Sequence, residues 1–254
     1  MDSNTTGNSN TAANGSDDMA TEEATGRVVM VHGAYADGSS WADVIQLLQE
    51  AGIAVTSVQN PLTSLADDAA ATRRALDRQD GPTVLVGHSW AGTVIREVGD
   101  HPNVAGLVYV AARAPDVGED YAALAGKFST PPASAGLSFT GGFGQLDEAT
   151  FLAHFANGVT EERARVLYAV QGPIADTLFA SRTTAAAWRT RPCWYAVSKQ
   201  DHTTTPDLER FVANRMDATT IEIDGGHLSM VTHPRVIADL ILEAIRATAP
   251  PRTA

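Results

Sequence analysis

One serine in this sequence sits where a strand would turn sharply into a helix, and that is the stretch best suited to chemistry. In Val84-Leu85-Val86-Gly87-His88-Ser89-Trp90-Ala91-Gly92 an apolar, β-branched run stops at a glycine, and a helix-like segment resumes at Thr93-Val94-Ile95. A serine at such a turn takes a strained φ > 0 conformation, so the residues two places to either side must be small for strand and helix to pass. Gly87 and Ala91 meet that demand. A serine hydroxyl is a weak nucleophile at neutral pH and needs a base within hydrogen-bond reach, itself oriented by an acid. Of the 7 histidines, His227 is the preferred base, because it follows Asp224-Gly225-Gly226 directly after the last apolar strand. His32 and His88 read as buried structural residues, His101 and His233 precede prolines at helix boundaries, His154 lies in an insertion, and His202 adjoins the acid. Asp201, in Ser198-Lys199-Gln200-Asp201, is the preferred acid, with Asp116 and Asp224 as its competitors.

The elements that must position these residues alternate in type. Strands are expected at 27–32, 54–58, 83–86, 104–111, 193–197 and 219–223. Helices are expected after Ser39 or Ser40 as cap, where Trp41, Val44, Ile45 and Leu48 share one face, and over 65–77, 205–216 behind a Thr205 cap, and 234–247. The alternation predicts an α/β fold: an about six-stranded parallel sheet with helices on both faces. In such sheets reactive groups gather outside the carboxyl ends of the strands. The pattern breaks over 115–189, too long for a loop, which is read as a helical cap inserted after the fourth strand, with helices near 147–157, 161–170 and 174–181. The expected organisation is a polar, disordered tail over 1–26, a core from 27–114 and 190–254, and the cap over 115–189. Met19 is a second candidate start within that tail.

Composition narrows the partners. A net charge of −12 over 254 residues disfavours nucleic acid and anionic membranes, both of which would repel the chain. No run approaches the roughly 18 apolar residues of a membrane span, and no secretory pattern opens the sequence, so a cytoplasmic protein is expected. The single Cys193 lies in an apolar run and reads as a buried structural thiol. No metal or other cofactor is expected. A small molecule is the expected partner, with a homodimer the one assembly considered.

From about residue 27 to 248 the chain resembles the α/β-hydrolases, in particular a short branch that includes plant methyl esterases, hydroxynitrile lyases and bacterial serine hydrolases. The resemblance is carried by Val31-His32-Gly33-Ala34, Asp37-Gly38-Ser39-Ser40-Trp41, Gly87-His88-Ser89-Trp90-Ala91-Gly92, Asp201, Arg215-Met216 and His227-Leu228-Ser229-Met230-Val231-Thr232-His233-Pro234. The order Ser89, Asp201, His227 is that family's order of nucleophile, acid and base. Ala91 stands where the family usually has glycine, and Trp90 is bulkier than the usual residue.

The resemblance implies a Ser89–His227–Asp201 triad, with the backbone N–H groups of Ala34 and Trp90 as the oxyanion hole. The implied reaction is hydrolysis of a small, neutral, rather apolar carboxylic ester or lactone through an acyl-enzyme. Tyr35, Trp90, Phe128, Phe143, Phe155 and Leu228 are the candidate substrate-binding residues. The competing readings are a hydroxynitrile-lyase-like or cofactor-free enzyme on the same frame, and a ligand receptor with slow turnover. Lyases of the branch carry a hydroxyl residue in the oxyanion loop and a lysine after the histidine, where this chain has Ala34 and Leu228.

Overall fold

In the computed structural model of the chain, residues 26–249 and Met1 are described. The expected disordered tail therefore lies outside the described residues, apart from Met1 and Gly26, the first residue of β1 (Gly26–Val31). A 3-10 turn at Gly38–Trp41 leads into α1 (Ala42–Glu50) and β2 (Ile53–Val58). Next come α2 (Leu65–Leu76), β3 (Thr83–His88), α3 (Ala91–Val98) and β4 (Val104–Val110). The insertion holds α4 (Tyr121–Ala125), β5 (Leu137–Thr140), β6 (Phe143–Leu146), α5 (Glu148–Thr150), α6 (Glu161–Ala169) and β7 (Ile174–Ala175). The chain closes with β8 (Cys193–Ser198), α7 (Pro206–Arg215), β9 (Thr219–Ile223), α8 (Ser229–Thr232) and α9 (Pro234–Thr248).

Six strands form one parallel sheet in the order β2-β1-β3-β4-β8-β9. The step from β1 to β2 runs one way across the sheet, while the steps from β2 to β3, β3 to β4 and β8 to β9 run the other. Right-handed crossovers therefore place α1 on one face and α2, α3 and α7 on the opposite face. The packing agrees, since α1 contacts α9 and α2 contacts α3. The direction reverses between β1 and β3. The loops leaving their carboxyl ends thus diverge to opposite faces and leave a crevice between them. β3 is buried along its whole length, as a central strand covered on both faces must be. No helix among the described residues is long and apolar enough to cross a membrane.

The insertion departs from an all-helical cap. Besides its helices it contains a small antiparallel sheet, β5-β6-β7. Gly141 and Gly142, at φ +59° and +82°, make the two-residue turn between β5 and β6, a geometry that glycine pairs adopt without steric cost. The helix expected over 174–181 is instead the short β7 and a 3-10 turn at Leu178–Ala180. Its backbone donors are engaged elsewhere: Ala175 N–H bonds Leu62 O at 2.9 Å and Asp176 N–H bonds Gly142 O at 3.0 Å. The segment expected as one helix over 147–157 is α5 running into a π-helical turn at Phe151–Phe155. Two caps also differ from expectation. Asp37, not Ser39 or Ser40, caps the first turn, its carboxylate accepting from Ser39 N–H at 2.9 Å. Thr205 precedes α7 without a side-chain capping bond.

Beneath the site, Asp68 on α2 is fully buried. Its Oδ1 accepts from Leu62 N–H at 2.8 Å and its Oδ2 from Trp90 Nε1–H at 2.7 Å. Burial pushes its carboxyl up to about 6, against the opposing effect of those two hydrogen bonds. Asp68→Ala would strand two buried donors. Urea denaturation should show a loss of about 2–5 kcal/mol, with a smaller loss for Asp68→Asn, which keeps one acceptor. A loss below about 1 kcal/mol for the alanine variant would mean that this carboxylate does not hold the turn.

Candidate active site

Ser89 has φ +53°, a left-handed conformation with a strain on the order of 1–3 kcal/mol that surrounding contacts must hold. Three backbone bonds hold it: Ser89 N–H to Val110 O at 3.1 Å, Gly92 N–H to Ser89 O at 3.1 Å, and Arg113 N–H to Ser89 O at 3.0 Å. The neighbours are small for steric reasons. A Cβ on Gly87 would lie 2.9 Å from Ala91 O, and one on Gly92 would lie 2.0 Å from Arg113 O. Ala91 itself is accommodated with no exposed surface. Across the crevice, Gly33 of the β1 loop comes so close that a Cβ there would lie 2.8 Å from Ser89 Cβ.

His227 and Asp201 follow β9 and β8. His227 Nδ1 is 2.6 Å from Asp201 Oδ2, with both side chains fully buried. Asp201 Oδ1 accepts from Thr204 N–H at 2.9 Å and from Thr203 N–H at 2.5 Å. With Nδ1–H donated to the carboxylate, the other nitrogen of His227 is a lone-pair acceptor, and Nε2 is buried with no hydrogen-bond partner. Of the competing acids, Asp116 pairs with Arg189 and Asp224 pairs with Lys199 at 2.6 Å, both away from His227.

The other histidines are engaged elsewhere. His32 donates from Nδ1 to Gly33 O at 2.9 Å and accepts Asn60 N–H at Nε2 (2.8 Å). His88 donates from Nε2 to His227 O at 3.0 Å, tying the residue before Ser89 to the histidine loop. Burial holds both imidazoles below the usual range, so they are neutral struts at pH 7. His101 bonds Asp77, His154 faces His202, and His233 bonds Thr232. Cys193 is buried, which pushes its thiol up to about 12.

Ala34 and Trp90 lie on either side of Ser89, in the β1 loop and at the start of α3. Among the described residues neither of their backbone N–H groups has an acceptor, an uncommon state for buried N–H donors.

A cavity of about 240 Å³ opens at Ser89. Ala34, Tyr35, Leu146 and Phe179 are among its walls. The six candidate pocket residues scatter. Tyr35 lines the cavity, and with Phe155 and Leu228 it also borders a second space of only about 10 Å³. Phe155 packs on the His227 ring, centroids 5.2 Å apart. Trp90 is buried behind the wall, held by Asp68, so its indole does not narrow the cavity. Phe128 packs on Phe211, and Phe143 is exposed on the small sheet. An aromatic side chain was the signal for these residues, but in the insertion it marks packing as readily as a pocket. Arg113, Tyr121 and Thr203–Thr205 also line the cavity and had no motif to announce them.

A parallel sheet with a left-handed serine at its switch point and a histidine–aspartate pair at the neighbouring strand ends defines the hydrolase class of doubly wound folds. The chain belongs to the alpha/beta hydrolase family, whose model matches residues 28–240. It is 32% identical over 131 residues to the carbendazim hydrolyzing esterase of Nocardioides sp. (strain SG-4G), a match covering 45% of this chain and 52% of that protein. The chain thus matches about half the length of that curated relative. Among solved structures, polyneuridine aldehyde esterase superposes with a TM-score of 0.73 at 17% identity, covering 86% of this chain and 98% of that one. A methylesterase from Arabidopsis gives 0.73 at 16% identity over 87% and 99%, and a pyrethroid hydrolase from Sphingobium faniae JZ-2 gives 0.72 at 18% over 87% and 98%. At these identities the likeness is one of fold.

Behind Asp201 lies Glu209 of α7, fully buried, its Oε2 accepting Ser198 N–H at 2.9 Å. Burial first, and then the adjacent Asp201 charge, raise its pKa well above the ordinary value of 4.5. The folded state therefore holds a proton that the unfolded chain releases, and this contribution to stability is lost as pH rises above about 4.5. Glu209→Gln mimics the protonated form. The stability difference between wild type and this variant, measured by urea denaturation from pH 5 to 8, should move in the variant's favour as pH rises. A constant difference would mean that Glu209 is charged in the fold.

Proposed function

We propose that the chain is a serine esterase in which Ser89 is the nucleophile, His227 the base and Asp201 the orienting acid. The observation that carries this reading is the buried Nδ1–Oδ2 contact of 2.6 Å, which leaves Nε2 without a partner among the described residues, on a histidine whose carbonyl is bonded by His88, the residue before Ser89. Ser89 Oγ attacks the ester carbonyl carbon while Nε2 takes its proton. The carbonyl oxygen, now negative, is met by the Ala34 and Trp90 N–H groups; such a donor is worth on the order of 3 kcal/mol. The second of these stands at the amino end of α3, where the helix dipole adds to its effect. Collapse of the intermediate breaks the bond to the alkoxide, which receives the proton from the His227 imidazolium. Water, deprotonated at Nε2, then attacks the acyl carbon, the bond to Ser89 Oγ breaks, and Oγ takes the proton back from the imidazolium. The volume of the cavity suits a small carboxylic ester, and the esterase names among the similar proteins support the same class of reaction.

The first test is incubation with a fluorophosphonate, mapped by mass spectrometry, alongside steady-state hydrolysis of p-nitrophenyl acetate and butyrate. One adduct at Ser89 with repeated turnover is expected, and Ser89→Ala should lose both. Labelling without turnover would favour a receptor or lyase-like protein instead. Asp201→Asn should lower kcat by on the order of 10⁴-fold, because the imidazole then loses its correct tautomer. Asp116→Asn should stay within about threefold, since that carboxylate engages Arg189; the opposite pattern would move the acid to the β4 loop.

A further inference from the structure

Among the described residues the cavity at Ser89 contains one formal charge, and it is positive. Arg113 lines it, together with apolar walls such as Leu137, Leu146 and Phe179, and no described aspartate or glutamate does. Other arginines near this region have protein partners: Arg215 pairs with Glu119 at 2.8 Å, Arg189 with Asp116, and Arg96 with Thr183. Arg113 has no hydrogen bond or ion pair from its side chain among the described residues. Its contacts are with the faces of aromatic rings. Its Cζ lies 4.0 Å from the Phe179 ring centroid, 5.1 Å from that of Tyr121 and 5.8 Å from that of Trp90. Such contacts leave the guanidinium's N–H donors without a protein acceptor among the described residues.

Two hydroxyl residues, Ser129 and Thr204, also line the cavity, and neither hydroxyl makes a hydrogen bond among the described residues. Each can donate a hydrogen bond. A half-buried guanidinium with free donors can take its counter-charge from a molecule in the cavity. A carboxylate matches the planar fork of arginine with two parallel bonds, and its remaining lone pairs can accept from hydroxyls. The site is close to the chemistry, because Arg113 N–H bonds Ser89 O at 3.0 Å.

We propose that Arg113 is the specificity-determining residue of this cavity, and that the preferred substrate is a small ester with an apolar body and a carboxylate of its own. This rests on the esterase reading and replaces the expectation of a neutral substrate. The carboxylate stays intact through the reaction; the bond that breaks is the ester C–O bond at Ser89.

The test uses the full chain and two matched pairs of esters. With the charge on the leaving side, 4-acetoxybenzoate is compared with 4-acetoxybenzamide; with the charge on the acyl side, monomethyl glutarate is compared with its carboxamide. In at least one pair the carboxylate should be favoured in kcat/KM by about tenfold to a hundredfold, the range of a hydrogen bond to a charged partner. That ratio should fall to about one in Arg113→Met and be intermediate in Arg113→Lys, with circular dichroism establishing that each variant is folded. A preference for the carboxamide in both pairs, or a ratio unchanged in Arg113→Met, would overturn the proposal. The esterase reading fails separately, by absence of p-nitrophenyl acetate turnover and of a Ser89 adduct. In that event calorimetric titration with 4-acetamidobenzoate still decides the anion site: binding by wild type and none by Arg113→Met supports it, and equal behaviour of the two overturns it.

Discussion

The left-handed backbone at Ser89 is the constraint on which the rest of the site depends. It stands between a fully buried strand and a helix that is buried except at Glu97. The strain is offset by bonds from the end of β4 and the loop after it, so the serine is held by a neighbouring strand as well as its own. The same geometry explains why Trp90 N–H has no acceptor: the chain has turned away from the sheet and has not yet entered the helical ladder. Close approach is demanded at Gly33, Gly87 and Gly92 alike, because three backbone segments converge on one serine. The strand order makes that convergence available, since β1 and β3 are adjacent although β2 separates them in sequence.

Burial then decides which groups carry charge. His32 and His88 are held neutral and serve as hydrogen-bonding struts, and burial raises the Glu209 carboxyl well above its ordinary value. Three donors converge on Asp201: two loop N–H groups and the His227 ring. A second ionised carboxylate at Glu209 would repel Asp201 and raise the cost of burying both. The histidine loop is tightly packed. A Cβ on Gly226 would lie 2.3 Å from Asn157 Oδ1, and Asn157 bonds Gln200 O at 2.8 Å, so the insertion braces both loops.

The parallel core was legible because its signals are local. Buried strands such as Val104–Val110 are continuous apolar runs, and the Gly-rich turns after β1, β3 and β9 mark where the candidate site residues emerge. The insertion was less legible. Its strands are short, β5 and β6 are half solvent-facing, and the Gly141-Gly142 hairpin signal has few apolar residues around it. Residues 174–181 have a helix-compatible composition, yet bonds to Leu62 and Gly142 draw the backbone away from a helix. Pocket residues fared similarly. Tyr35 could be found because it adjoins a motif, whereas Phe128 and Phe143 were indistinguishable by type from Phe179, the aromatic that does reach the cavity.

Phe179 shows why that distinction depends on tertiary structure. It sits in the 3-10 turn at Leu178–Ala180, outside any long helix. From there its ring meets Tyr35 at 6.1 Å, Trp90 at 5.8 Å and the Arg113 guanidinium at 4.0 Å. One side chain from the least periodic segment thus touches the neighbour of one unpartnered N–H donor, the residue of the other, and the one charged residue that lines the cavity among the described residues. A cation–π contact gains strength where water is excluded, and the insertion is what excludes it. Arg113, directly after an ordinary buried strand, would be a solvated surface cation without that cover. The chemistry assigned to the core is carried by its loops, but the selection of what reaches Ser89 is carried by how an irregular stretch of the insertion folds back over them.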